Sequence, residues 1–366
     1  MALYTTYNKA IAKILIPFLG RSKKKNFNPK NPVTGVALPD MPTAYTIYSY
    51  NESSVEVRKT ETLKECYPPE SSRQTTWINV DGLKQEEVEA LCEHFHVHPL
   101  LTEDILSTGQ RAKADDMEIQ LFCLLPMLTY NADTGMVLSE QLSIVLGENY
   151  VLSFQPDPSQ DPFNSLREKL KNPNSLVRKK SADYLCYCLI DAIVDDYYNV
   201  LEKLSDRLEK LENEVMSKPN NVVLLKLNLL KHEIMVVKRA IAPVRELVGS
   251  LWRTDNPLLQ EANRKYYKDI YDHISLATEY ADNYREMGIN LQELYMNQVN
   301  TRMNEVMKIL TVVTTLLAPA TVIGSIFGMN FNIPYADKPH AFYACVIIMF
   351  SISAIMLLYF KRKQWF

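Results

Sequence analysis

The sequence lacks an excess of charge of either sign. Its 366 residues include 40 Lys and Arg against 43 Asp and Glu, for a formal net charge of -3. A protein with this balance has no general positive field, so we expect no nucleic acid among its partners. The sequence also lacks the nucleotide-binding pattern GxxxxGK(S/T) and the hydrolase patterns HExxH and GxSxG. We therefore expect neither an enzyme nor an ATP-driven pump.

Cysteine pairs with metal-binding spacing are also missing. The chain has six cysteines, but none forms a CxxC pair and their spacings are irregular. This pattern favours reduced, structural cysteines in a cytosolic setting over a disulfide framework. The six are Cys66, Cys92, Cys123, Cys186, Cys188 and Cys345.

Charged side chains are absent from residues 309–336, although the chain as a whole is 23% charged. Residues 309–327 form one apolar run, and residues 341–360 form a second. Each run is close to the roughly 20 residues that a helix needs to cross a bilayer. The sequence therefore predicts two transmembrane helices joined by a short loop.

The flanking charges predict the orientation of these two spans. Lys308 precedes the first run and three basic residues at 361–363 follow the second, whereas the loop holds only Asp337 and Lys338. The positive-inside rule then puts both termini in the cytoplasm and the loop outside. We expect a two-span protein of the cell (inner) membrane.

The N-terminal segment has an apolar stretch with its basic residues after it, at 21–25. A secretory signal has the opposite order, so this segment is not predicted to be one. Two interpretations stay open: a short amphipathic helix on the inner leaflet, and a poorly ordered tail.

Between the tail and the membrane, the hydrophobic period changes from mixed to helical. The stretches TTWINVDG and QLSIVLGENYVLSFQ read as strands, KQEEVEALCEHF reads as a helix, and strand signals end after Pro162. Two long helices broken at SKPNN follow, and then a helix of some 70 residues that runs into the first span. We predict an α+β cytosolic domain, a long helical stalk and two transmembrane helices.

The predicted boundaries follow from these composition changes. They are 1–40 (N-terminal tail), 41–160 (cytosolic α/β domain), 161–255 (antiparallel helical pair), 256–308 (cytosolic stalk helix), 309–327 (first transmembrane helix, continuous with the stalk), 328–340 (external loop), 341–360 (second transmembrane helix) and 361–366 (basic C-terminus).

One line of side chains along the long helix is polar in the stalk and small or hydroxylated in the span. Alternating steps of four and three residues keep such a line on a common axis when helices wind together. An exposed wet face explains the polar half, and close helix packing explains the small half. Continuity of the two halves favours a water-filled axis shared by several copies. The members of this axial stripe are Glu279, Asn283, Glu286, Asn290, Glu293, Asn297, Asn300, Asn304, Met307, Thr311, Thr314, Ala318, Thr321, Ser325 and Gly328.

The end of the first span carries Gly-Met-Asn at residues 328–330, followed by a loop, a second span and the basic stretch KRKQWF. This arrangement resembles the CorA family of magnesium channels. The resemblance extends to HPLLTEDILSTGQRAK, EQLSIVLGENYVLSFQ and YYKDIYDHI, and so covers nearly everything after about residue 75. A lone Gly-Met-Asn would be a weak signal, but its position at the end of the first of only two spans is specific.

The resemblance implies a funnel-shaped homopentamer that passes hydrated Mg²⁺, and Co²⁺ or Ni²⁺ with it, down the membrane potential. It implies a selectivity filter at Gly328, Met329 and Asn330, with Asn330 offering neutral oxygens to the water shell of the ion. It also implies that Mg²⁺ bound by Glu103, Asp104 and Asp269 of neighbouring subunits closes the channel. The expected pore-lining and gate residues are Glu293, Asn297, Asn304, Met307, Leu310, Thr311, Thr314, Ala318, Thr321 and Ser325.

The sequence departs from the family pattern near the pore mouth. The loop NIPYADKPH lacks the Met-Pro-Glu-Leu of many relatives, which leaves Asp337 to attract cations. Ala318 replaces a larger residue that commonly narrows the pore, and the order of Gly324 and Ser325 differs. Selectivity and rate are therefore less well predicted than the fold.

Other functions remain as alternatives at this point. One is a zinc or proton-coupled transporter of a related branch, which the intact Gly-Met-Asn disfavours. Another is a membrane-anchored helical scaffold, for which the axial stripe would be ordinary surface. His94, His96 and His98 alternate as zinc ligands on a strand would, but their segment ends a helix, so a zinc site there is disfavoured.

Overall fold

A computed structural model of the protein describes residues 43–67, 74–107, 109–158, 161–329 and 339–363. The N-terminal tail, and with it the predicted amphipathic helix, lies outside these residues. The chain divides into two compact units, one within residues 1–203 and 235–282 and the other within residues 204–234 and 283–366.

The first unit contains a seven-stranded sheet with the order β2-β1-β3-β7-β6-β5-β4. Neighbouring strands are antiparallel except β3 and β7, which are parallel. The strands are β1 (Ala44–Tyr50), β2 (Val55–Thr60), β3 (Thr75–Asp81), β4 (Lys113–Asp116), β5 (Leu121–Asn131), β6 (Met136–Leu146) and β7 (Tyr150–Gln155).

Two short helices, α1 (Gln85–His94) and α2 (Pro99–Leu106), share a hydrophobic core with one face of the sheet. Val88 and Leu91 of α1 and Leu101 and Ile105 of α2 are buried there with the sheet residue Phe122. Apolar residues recur at helical spacing along one face of each helix and form the buried stripe, so most polar residues lie on the opposite face, towards solvent. This packing fixes the position of α2, which carries Glu103 and Asp104.

The remaining helices are α3 (Asn164–Lys171), the single turn α4 (Leu176–Lys179), α5 (Ala182–Ser217), α6 (Asn221–Leu251), α7 (Glu261–Phe327) and α8 (Pro339–Arg362), and a 3₁₀ turn covers Leu63–Cys66. The break between α5 and α6 is the predicted one at SKPNN. There the Asn220 side chain caps α6 by accepting hydrogen bonds from the N–H groups of Val222 (2.9 Å) and Val223 (3.0 Å).

The predicted long helix is confirmed as the 67-residue α7, whose length is roughly 100 Å at 1.5 Å per residue. It contains Pro319, which has no N–H to give to the carbonyl four residues earlier. The predicted strand pair around Gly-Glu-Asn is confirmed as β6 and β7. The alternating pattern of β3 predicts one buried face, but the strand is buried on both: Ile78 lies in the core shared with α1 and α2, and Trp77 packs against Phe163 at the start of α3.

A buried carboxylate fixes the start of α7. Asp183 of α5 is 1% exposed and accepts hydrogen bonds from the Gln260 N–H (2.9 Å) and from the Asn263 side-chain amide (3.1 and 3.0 Å). The Tyr267 hydroxyl donates to the backbone carbonyl of Asp183 at 2.8 Å, and Lys180 donates to the Asn263 oxygen at 3.0 Å. A buried charge is tolerated only when such donors surround it. This network fixes the start of α7, the helix that carries Asp269, against α5.

We predict that Asp183→Ala lowers the free energy of unfolding by about 3 kcal/mol, because it leaves the buried amide of Asn263 without its acceptor. Urea unfolding of the full-length protein in detergent, followed by tryptophan fluorescence, measures this change. The matched control is Asp206→Ala, which removes an exposed carboxylate from the same helix and should change stability by less than about 0.5 kcal/mol. Equal effects of the two substitutions would contradict the anchoring role of Asp183.

Candidate functional site

Helix α2 presents the first two predicted metal ligands. It begins at Pro99, directly after His98, whose Nδ1 accepts a hydrogen bond from the Leu100 N–H at 3.2 Å. Proline suits the first helical position, and the histidine replaces a missing intrahelical partner. One turn later, Glu103 is exposed and the Asp104 side chain is 16% exposed.

Asp104 has a close basic partner. Its Oδ2 accepts a hydrogen bond from Lys113 Nζ at 2.6 Å, and the same ammonium lies 2.9 Å from Oδ2 of Asp115. Burial alone would lower the pKa of Lys113, but the hydrogen bonds to Asp104 and Asp115 outweigh burial and raise that pKa above its usual value. The carboxylate is thus held by a side chain that stays cationic at neutral pH.

Asp269, the third predicted ligand, lies on α7 and is exposed. Within the part of the chain that the structure describes, no hydrogen bond or ion pair joins its carboxylate to Glu103 or Asp104. The carboxylates of Asp269 and Glu103 are therefore available to ligands from outside the chain.

The structure also brings together a group that the sequence analysis missed. One ligand atom each of Asp191, Asp195 and His273 lie within 4.8 Å of one another, so the three could hold a cation. The two carboxylates, one helical turn apart on α5, line a cavity of about 590 Å³. Burial, and then the charge of Asp195, raise the pKa of Asp191 to about 6. The spacing of the two acids is visible in the stretch DAIVDD, but the histidine joins them only through the packing of α7 on α5.

The alternating histidines have separate structural surroundings. The His94 ring stacks on Tyr67 with centroids 3.6 Å apart, whereas His98 caps α2. His96 has a φ of 54°, in the left-handed region. These are the surroundings of residues that end one helix and start the next.

Every described member of the axial stripe is exposed, from Glu279 to Gly328. Residues 301–311 are exposed on all sides, including Met307 (58%) and Leu310 (62%). The next residue, Val312, is not on the stripe and is buried, with 2% of its surface exposed. Large exposed apolar surfaces of this kind are usually covered by lipid or by other protein chains. The predicted filter residue Asn330 lies outside the described residues.

The threonines of the stripe direct their hydroxyl hydrogens back into the helix. Thr311 donates to the Met307 carbonyl at 2.8 Å, Thr314 to the Leu310 carbonyl at 2.9 Å and Thr321 to the Leu317 carbonyl at 3.1 Å. Because a hydroxyl has one hydrogen and two lone pairs, this arrangement leaves oxygen acceptors facing outward. The stripe can therefore accept hydrogen bonds from water in a segment that has no carboxylates.

Gly328 lies in the turn that directly follows the end of α7. Its N–H bonds to the Gly324 carbonyl at 2.9 Å, and its φ is not among the positive values. A Cβ at this position would lie 3.2 Å from the Gly324 carbonyl oxygen. Close approach to the preceding turn, and not left-handed backbone, favours glycine here.

Helices α7 and α8 are both long and apolar enough to cross a membrane. The most apolar 18-residue window of α8 contains no buried residue, and that of α7 is only 6% buried. A core helix of a soluble protein would be mostly buried. Within the second unit, Ser353 of α8 donates a hydrogen bond to the Leu316 carbonyl of α7 at 3.1 Å, which joins the two helices at a polar point.

Comparison with known proteins agrees with these features. A family model described as "CorA-like Mg2+ transporter protein" matches residues 72–362. The chain is 36% identical over 321 residues to the cobalt/magnesium transport protein CorA of Thermotoga maritima, covering 87% of this chain and 91% of that one. It is 26% identical over 232 residues to the cobalt/magnesium transport protein CorA of Methanocaldococcus jannaschii, covering 63% and 73%.

The fold has a close counterpart among solved structures. The complete structure of the CorA magnesium transporter from Methanocaldococcus jannaschii superposes with a TM-score of 0.73 at 22% identity, covering 88% of this chain and 98% of that one. At this identity the match speaks for the fold alone. Taken with the family model and the Thermotoga relative, it shows that the chain belongs to the CorA family of Mg²⁺ transporter proteins.

Proposed function

We propose that the protein is a Mg²⁺-regulated channel for passive uptake of hydrated Mg²⁺, and of Co²⁺ and Ni²⁺, across the cell (inner) membrane. The observation that carries this proposal is the axial stripe, exposed from the stalk to the Gly-Met-Asn motif. Two relatives named as cobalt/magnesium transport proteins support the choice of Mg²⁺ and Co²⁺. Neither catalysis nor nucleic acid binding has a role in this function.

Several copies of α7 must surround a common axis for the stripe to line a pore. Closed rotational symmetry brings the same face of each copy to that axis. We infer a homopentamer, as the family resemblance implies, with the exposed apolar side chains off the stripe facing lipid or the neighbouring subunits. The basic residues Lys361, Arg362 and Lys363 favour a cytoplasmic C-terminus, and the two spans found among the described residues would place the segment before the stalk on the same side.

Hydrated Mg²⁺ is the species that suits such an axis. The ion sheds water reluctantly, and the waters bound to it are strong hydrogen-bond donors. Outward-facing oxygens of Thr311, Thr314 and Thr321 accept from these waters, and Asn330 extends the series with its amide oxygen. Neutral acceptors bind weakly enough to release the ion, as conduction requires. A potential of 100 mV contributes roughly 2.3 kcal/mol per elementary charge, so a divalent ion needs no other energy source.

Closure has two parts in this proposal. Met307 and Leu310 form an apolar neck that excludes water when the helices approach, and hydrophobic constrictions gate in this way. Mg²⁺ bound by Glu103, Asp104 and Asp269 of adjacent subunits favours the closed arrangement. An ion that binds one arrangement better stabilises it, so a fall in cytosolic Mg²⁺ favours opening.

The first test concerns the filter. Asn330→Ala should reduce Mg²⁺ uptake into liposomes by about tenfold or more, because the ring of amide oxygens around the hydrated ion is lost. Asn332→Ala, in the same loop but outside the motif, is the matched control and should retain uptake. Size-exclusion chromatography checks that both variants assemble. Normal uptake by an assembled Asn330→Ala variant would remove Asn330 from the filter.

The second test concerns regulation. The double variant Asp104→Asn/Asp269→Asn should need about tenfold more Mg²⁺ to protect the cytosolic unit from protease, because two of the ligands that favour closure are lost. Asp133→Asn/Asp206→Asn removes two exposed carboxylates outside the site and serves as the control. Unchanged protection in the Asp104/Asp269 variant would move the regulatory site elsewhere. Asp191, Asp195 and His273 would then be examined first.

The third test separates a channel from a membrane-anchored scaffold. In a background without native cysteines, single cysteines at stripe positions should react with small hydrophilic thiol reagents at low Mg²⁺, because the axis contains water. Oxidation should also cross-link them to their symmetry copies where the axis is narrow. The stripe positions are Asn297, Asn304, Thr311, Thr314 and Thr321.

Off-stripe positions provide the controls for this scan. Cysteines at Ile309, Val313 and Leu316 should react slowly, because a thiolate forms poorly against lipid or packed side chains. A cysteine at Val312, which is buried within its own chain, should give the lowest labelling rate of the scan. High Mg²⁺ should slow labelling beyond Met307 and Leu310, but not at Asn297. Equal reactivity around the helix, or none on the stripe at any Mg²⁺ level, would favour the scaffold.

A further inference from the structure

Lys113 occupies the place that a cation would take between two carboxylates. Its Nζ lies 2.6 Å from Oδ2 of Asp104 and 2.9 Å from Oδ2 of Asp115. The Asp104 side chain is 16% exposed, that of Asp115 is 35% exposed and that of Lys113 is 37% exposed. Solvent and ions can therefore reach this ion pair, but the carboxylate of Asp104 has little other access to water.

The fold holds Lys113 in this position. The residue lies on β4, where it pairs with Leu124 of β5, and its Nζ is 5.9 Å from the centroid of the Phe122 ring. Alternation along a strand directs Lys113 and Asp115 to the same face of β4. The Gln141 side chain ties the preceding loop to α2, since it accepts from the Gln110 N–H (3.3 Å) and donates to the Asp104 carbonyl (3.0 Å). The ion pair and the Gln141 side chain thus both tie the segment around β4 to α2.

We infer that Lys113 is an internal competitor for the regulatory cation and sets the Mg²⁺ concentration at which the Asp104 site fills. The inference rests on the proposed regulatory role of Asp104. A lysine ammonium has three donors and no lone pair, so it cannot share in coordinating Mg²⁺. For Mg²⁺ to bind at Asp104, the ammonium must release that carboxylate. Asp115 is the acceptor that keeps the ammonium paired after this exchange.

This exchange lowers the affinity of the site for Mg²⁺ but leaves all of its proposed Mg²⁺ ligands in place. With Lys113 present, Mg²⁺ replaces an existing charge-assisted hydrogen bond instead of binding a carboxylate that only water contacts. Without Lys113, two like-charged carboxylates would remain close together with no cation between them, and a divalent ion would relieve their repulsion. Removing the positive charge should therefore strengthen Mg²⁺ binding, whereas removing either proposed ligand should weaken it.

Lys113→Met keeps the aliphatic stem over Phe122 and removes the charge. We expect the Mg²⁺ concentration for half-maximal protease protection of the full-length protein to fall by about three- to tenfold. Lys113→Gln is a second neutral variant that should shift protection in the same direction, in case methionine impairs folding. Lys113→Arg retains the charge and should stay close to wild type. Lys84→Met removes the partner of Glu87 (3.0 Å), outside the site, and should leave protection unchanged.

The single variant Asp104→Asn, measured in parallel, separates failure of this inference from failure of the regulatory site. If Asp104→Asn raises the Mg²⁺ requirement and both neutral Lys113 variants leave it unchanged or raise it, the competition is wrong and the regulatory site stands. If Asp104→Asn has no effect on protection, the regulatory role of Asp104 is wrong and the inference about Lys113 falls with it. A lowered requirement in Lys113→Met and Lys113→Gln but not in Lys113→Arg supports competition.

Discussion

The buried carboxylate of Asp183 is the contact on which the course of the long helix depends. It holds Gln260 and Asn263 at the first turn of α7, and Asn263 is fully buried. A buried carboxylate must be surrounded by donors, so the helix cannot slide or turn at this point without leaving a charge unpaired. From there α7 continues to Phe327, and its backbone ladder lacks the one hydrogen bond that Pro319 cannot donate. In the proposed function, Asp269 of the regulatory site and the axial stripe lie on this one helix, so a cation bound at Asp269 could bias the helix that carries the stripe.

Water is the second constraint, and it explains why the chemistry of the axial stripe changes along its length. In the stalk, carboxylates and asparagines are hydrated at little cost. In the span, a charged side chain is expensive, whereas a threonine whose hydrogen bonds to its own helix is already satisfied on the donor side. Thr311, Thr314 and Thr321 have this geometry. The result is a row of acceptors without charge, which fits an ion that brings its own shell of donor waters.

Features that depend on local hydrophobic periodicity were predictable from the sequence, whereas features that depend on tertiary contacts between distant residues were not. The 67-residue α7, the break between α5 and α6 and the strand pair around Gly-Glu-Asn follow from periodicity and turn residues. Nothing in the sequence joins Asp183 to Asn263, or His273 to Asp191, because each pair lies about 80 residues apart and meets only through helix packing. The close approach at Gly328 is also a matter of three-dimensional structure, since a tripeptide signature does not give the distance from its Cβ position to the Gly324 carbonyl.

A sensor of cytosolic Mg²⁺ must bind its ion weakly, since a site that stays filled cannot report a change in concentration. If Asp104 belongs to such a sensor, as proposed above, its surroundings would meet this requirement in two ways. The expected ligands Glu103 and Asp269 are exposed, so water competes for the coordination positions that these two residues would fill. Lys113 adds a competitor that cannot diffuse away and whose second partner, Asp115, lies within hydrogen-bond distance. In this proposal, the affinity for Mg²⁺ reflects the difference between two ion pairs of Asp104, one with Mg²⁺ and one with Lys113. A single substitution of Lys113 could therefore shift the Mg²⁺ concentration range over which the sensor responds, while every proposed Mg²⁺ ligand is retained.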